Sequence, residues 1–89
     1  MEKRIGVIGI VLEQASDSAE EVNKVIGRFR SCIVGRMGIP FDKDDVAVIS
    51  LIVEVTNEEL GALTGKLGSI PGVNVKSALT TKTVKGNEK

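Results

Sequence analysis

The 89-residue chain is long enough for one domain, and a domain this small is marginally stable alone. One cysteine and no histidine exclude an intrachain disulfide, a histidine-based catalytic triad, and a zinc, nickel or copper site built within one chain. Twelve Lys+Arg balance twelve Asp+Glu, and Phe29 and Phe41 are the only aromatics, so there is neither a net basic surface for phosphates nor a stacking platform for bases.

The elements follow in chain order. Residues 4–12 are rich in β-branched side chains and too short for a typical helix, which predicts a strand. Residues 13–18 read as a polar loop. Ser18 with Glu21 three residues later forms a capping box that opens a helix, and Val22, Val25, Ile26 and Phe29 give it one apolar face. Cys32–Ile39 reads as a second strand, with Pro40 at its end or on a sheet edge. Asp42–Asp45 is a charged turn, and Val46–Val55 is a third strand. Thr56 with Glu59 is a second capping box, followed by a Leu60, Leu63, Leu67 stripe and Gly68 as a C-terminal cap. Pro71-Gly72 marks a turn, and Val73 to about Thr83 is the last strand.

This βαββαβ order predicts an α+β fold, the ferredoxin-like sandwich: a four-stranded antiparallel sheet with two helices on one face. One domain is expected over 1–84, with a polar tail over 85–89. The first and third strands do not alternate. Ile5, Val7 and Val11 oppose Ile8, Ile10 and Leu12, while Val46, Val48 and Ile52 oppose Ala47, Ile49, Leu51, Val53 and Val55. One face lies under the helices, and the other has nothing in the chain to cover it. A homodimer or homotetramer joined through that face is therefore expected. No window is apolar enough to span a membrane and no secretory cleavage site follows the first strand. With a lone thiol besides, the chain is expected in the cytoplasm, with no membrane and no direct nucleic-acid partner.

The run Ile-Gly-Val-Ile-Gly-Ile-Val-Leu-Glu (5–13), its loop and helix, and the late Leu-Gly-Ser-Ile-Pro-Gly-Val (67–73) resemble ACT-like regulatory domains. Residues 33–40 with 46–54 resemble the central hairpin of the nickel-responsive repressor's C-terminal domain. Over nearly its full length the chain is similar to the family of small stand-alone regulators of iron-only hydrogenase systems. The resemblance implies dimers or tetramers and a ligand-sensing role in transcriptional or metabolic control. Nickel sensing does not carry over, because that domain ligates metal through histidines and a cysteine. No DNA-binding domain is present, so transcriptional regulation would pass through a DNA-binding partner protein.

ACT-like domains often bind small effectors near the loop after the first strand, which here designates Gln14, Ser16, Asp17 and Ser18 as the candidate effector site, with Arg36 of the central hairpin as a further candidate. The helix N–H groups suit a carboxylate or phosphate. Plain capping by Ser18 accounts for the same residues, and Asp17 opposes an anion. Arg36 and Glu54 would form a cross-strand ion pair if the central hairpin aligned them, or line an interface pocket. Cys32 reads as a small buried hydrophobe, with a redox or metal role as the alternative. Gly61 and Gly65 share a helix face suited to close packing, and Gly35 and Gly38 mark hairpin bulges. No motif designates a cofactor, and no catalytic or metal-ligating set is formed. The competing function is an acylphosphatase-like hydrolase of the same fold class, whose arginine-bearing anion loop is missing here. An RNA-binding module would want aromatics on the central strands, where Val, Ile and Leu stand.

Overall fold

The apolar run Arg4–Leu12 forms β1, and alternate residues of it, Ile8, Ile10 and Leu12, are fully buried. The computed structural model describes residues 2–85, so most of the tail expected over 85–89 lies outside the described residues. After β1 come α1 (Ala15–Arg28), β2 (Ile33–Phe41), β3 (Val46–Val55), α2 (Asn57–Gly68) and β4 (Val73–Leu79). Short 3-10 turns at Arg30–Cys32 and Asp42–Asp44 join α1 to β2 and β2 to β3. The strands form one antiparallel sheet in the order β2-β3-β1-β4, as the ferredoxin-like reading requires.

The core lies between one sheet face and the helices. Ile8 and Ile10 sit opposite Leu51 and Ile49, and they pack with Val53, Val22, Val25 and Ile26 of α1 and Leu63 and Leu67 of α2. Thr56 caps α2 as expected: its Oγ1 accepts from the Glu59 N–H at 3.1 Å, and a Glu59 carboxylate oxygen accepts from the Thr56 N–H at 2.8 Å. The Pro71-Gly72 turn is also present, with Gly72 at φ 79°, where a Cβ would be strained.

Several boundaries differ from the sequence reading. α1 starts at Ala15, so residues 15–18 are its first turn and not a loop, and Ser18 is a buried helical residue, not the cap. Ser18 Oγ donates instead to the Gln14 carbonyl, 3.1 Å away. β2 begins at Ile33 and runs through Pro40 to Phe41, because Pro40 stands on an edge strand whose outer side has no ladder bond to lose. α2 retains Gly68 as its last residue, with Ser69 as its cap. β4 stops at Leu79, and a separate bridge between Lys3 and Val84 continues the edge. The hairpin bulge falls between Ile33 and Gly35, beside one of the two suspected glycines.

Candidate functional site

The five residues read as an effector site separate into two places. The N-terminus of α1 is closed from outside the helix, by the β2–β3 turn. Asp45, at a left-handed φ of 55°, accepts the Ala15 N–H on its carbonyl at 2.8 Å. Its carboxylate takes the Ser16 N–H at 2.8 Å on Oδ1 and the Ser16 hydroxyl at 2.9 Å on Oδ2. The helix end thus already holds a carboxylate, the chain's own. Gln14 precedes this turn and lies against Gly72, and Asp17 points to solvent. Arg36 stands elsewhere: its Nη2 donates to Asn23 Oδ1 at 3.0 Å, nine residues along α1 from Gln14 and therefore roughly 13 Å away. The structure brings Ser16 to Asp45 and Gln14 to Gly72, and does not bring Arg36 to either. Asp45 was missed because its role needs the hairpin folded back on the helix. Its one local signal is the tolerance of Asp for a left-handed turn.

The conditional Arg36–Glu54 pair does not form. Arg36 is aligned with Leu51, on the helix side of the sheet, and Glu54 is aligned with Ile5, on the other side.

Cys32 is buried in the core, the packing role weighed against a redox one. Burial, and then the neighbouring Glu59 carboxylate, push its thiol pKa upward, which disfavours the reactive thiolate. Glu59 is shifted the other way, chiefly by the hydrogen bond from the Thr56 backbone. Among the described residues no group of three His, Cys, Asp or Glu is arranged to hold a metal ion, and no cavity opens. Nor is any described helix long and apolar enough to cross a membrane.

What remains is the sheet face away from the helices. Register and pleat place Ile5, Val7 and Val11 of β1 there, with Val46, Val48 and Ile52 of β3 and Met37, Ile39 and Phe41 of β2. Ile5 is 40 % exposed, Ile52 44 %, Ile39 50 % and Met37 64 %. Single exposed aliphatics are ordinary, but a contiguous sheet of them is the mark of an association surface.

The fold and this face can be set beside known proteins. The family model described as "Iron-only hydrogenase system regulator, putative", the TM1266-like family, matches residues 4–77. The uncharacterized protein TM1266 of Thermotoga maritima is 35% identical, with a TM-score of 0.83 over 89% of this chain and 99% of that one. The ACT domain of the GTP pyrophosphokinase of Chlorobium tepidum is 24% identical, with a TM-score of 0.72 over 85% of this chain and 99% of that chain. A PII-like protein of Thermus thermophilus is 17% identical, with a TM-score of 0.52 over 93% of this chain and 91% of that chain. The last two show a shared fold. No curated protein matches the chain.

Proposed function

The chain belongs to the TM1266-like family, and on that premise we propose that it is a regulatory module working as a homo-oligomer, its copies joined through the outer sheet face. One observation carries the assembly: the aliphatic face of β1, β2 and β3 that no element among the described residues covers. Burying it offsets the marginal stability of so small a domain. The regulatory role rests on the family description, and a small-molecule effector is the input such a module takes. The finer reading is control of transcription in an iron-only hydrogenase system, exerted through a DNA-binding partner protein because this chain has neither net basic charge nor stacking aromatics. An acidic effector at Gln14, Ser16, Asp17 and Ser18 would have to displace the Asp45 carboxylate from Ser16. The same occupancy weighs against the acylphosphatase-like alternative, which needs those donors for its substrate.

Native beside denaturing mass spectrometry on freshly purified protein tests the reading. A dimer or tetramer carrying extra mass supports a ligand-bound regulator and begins to identify the ligand. An oligomer without extra mass supports the assembly and turns the search to the partner protein. A bare monomer at micromolar concentration overturns the proposal.

A further inference from the structure

Glu54 is the anomaly of the outer face. It lies on the central strand β3, opposite Ile5, and only 9 % of it is exposed, yet no hydrogen bond or ion pair reaches its carboxylate among the described residues. No fully buried side-chain oxygen lacks a partner among those residues, so the carboxylate keeps a window to water on this face. Covering the face with a second apolar sheet would close that window and strand a charge, at a cost large enough to oppose assembly. The assembly needs a cation there.

Among the described residues three cations lie in the strands: Arg4, Arg36 and Lys76. Arg4 is aligned with Val55 and Arg36 with Leu51, both on the helix side. Lys3, just before β1, makes no ion pair with Glu54 among the described residues, and its charge is felt at Glu59 and Cys32. Lys76, exposed and aligned with Gly9, is the strand cation that the register places on the outer face. It cannot serve Glu54 of its own chain. The two are separated by two strand spacings, about 10 Å, and by four residues along the strands, about 13 Å.

The same register shows how a second copy supplies the pair. Glu54 is in β3, in the row of Ile5, and Lys76 is in β4, in the row of Gly9. The point midway between them falls on β1, the strand between β3 and β4, at Val7. A two-fold axis lying between the two faces and passing over Val7 can interchange the two positions. In such an isologous contact, Glu54 meets the second copy's Lys76 and Lys76 meets the second copy's Glu54. Val7 is itself part of the exposed apolar patch, so the axis passes through the surface that most needs covering.

We propose that the outer faces of two copies pack about a two-fold axis over Val7, with Glu54 of each copy paired to Lys76 of the other. This rests on the sheet-face assembly proposed above and adds its orientation and its charged contacts. The pair selects this one orientation, since rotating either copy in the plane of the sheet leaves both carboxylates buried without a partner.

The test is a charge swap. Glu54→Lys and Lys76→Glu are each made alone, then mixed, and the dissociation constant is measured by analytical ultracentrifugation. Each variant alone brings like charges together twice and is expected to weaken self-association by about ten-fold or more. The equimolar mixture is expected to form heterodimers close to wild-type strength, because both contacts are then complementary. Should Glu54→Lys fail to fold, the cycle is run with Glu54→Gln and Lys76→Gln. Lys76→Gln is then expected to weaken association in the wild-type background and to leave it unchanged in Glu54→Gln. A wild-type dimer indifferent to these changes overturns the pairing while leaving the sheet-face assembly standing. A monomeric wild type overturns both.

Discussion

At the scale of the residue, Asp45 and Glu59 do similar work by different routes. Asp45 closes α1 from a turn 29 residues away in sequence from Ser16, and it does so in a left-handed conformation that costs most L residues about 1–2 kcal/mol. The two contributions can be separated. Asp45→Ala loses the cap and keeps the strain, and is expected to destabilise by about 1–2 kcal/mol for the cap alone. Asp45→Gly loses the cap but relieves the strain, and should be the milder change in urea unfolding. If Ala and Gly are equally harmful, the φ of 55° carries no cost. Glu59 accepts the Thr56 N–H, and its pKa is lowered, first by that bond. A lowered pKa in the folded state means that the unfolded chain binds protons more readily in acid. The stabilisation is therefore present above the unfolded value of about 4.3 and is lost as the pH falls through the folded value. Glu59→Gln should flatten this part of the acid limb when unfolding free energy is measured from about pH 6 downward. An unchanged limb would assign the acid loss to other carboxylates.

At the scale of the element, the glycines separate packing from propensity. A Cβ at Gly6 would overlap the Ala78 carbonyl oxygen and Leu79, which are fixed by the β1–β4 ladder. Gly6→Ala is expected to cost about 1–3 kcal/mol, since the obstacle includes backbone and cannot rotate away. Gly61 and Gly65, in the middle of α2, meet nothing within 4 Å, so the suspected close packing is not made among the described residues. Gly61→Ala should raise the stability of the isolated protein by about 0.5–1 kcal/mol, read as a higher Tm. A loss instead would mean that a second surface packs against this helix face. The elements themselves were legible, because period-2 and period-3.6 patterns are local. So was the α2 cap, because Thr56 and Glu59 are three residues apart. The start of α1 was not, since its capping group arrives from the hairpin and overrides the local Ser18–Glu21 signal. Arg36 and Glu54 illustrate the other limit. The pleat alone puts Glu54 opposite in facing to Leu51, but only the hairpin register, which aligns Arg36 with Leu51, shows that the two charges lie on different sides. Gln14, Ser16, Asp17 and Ser18 are grouped by one short segment of chain, whereas Arg36 joins them only as a charge on the central hairpin, whose position relative to α1 is not a local property. The long reach of α1 separates Arg36 from the rest.

At the scale of the whole molecule, the sheet has two apolar faces and the chain has helices for one. Ile8, Ile10, Leu51 and Val53 are fully buried, while Ile5, Val7, Val48 and Ile52 on the reverse stand open by more than a third each. Removing apolar area from water contributes roughly 25 cal/mol per Å², so copies that share these faces gain stability that a single copy lacks. Binding of folded chain to folded chain then raises the folding equilibrium by mass action, and Tm should climb with protein concentration. Ile52, central on β3 and already 44 % exposed, is the position at which to cut that link. A charge there sits in water in the single copy and is desolvated in the assembly, so Ile52→Glu should preserve the circular dichroism of the fold at low concentration. The same variant should sediment as a monomer, and its Tm should no longer depend on concentration. An Ile52→Glu protein that still assembles would place the interface elsewhere on the molecule, and one that unfolds at every concentration would show that β3 needs Ile52 for the fold itself.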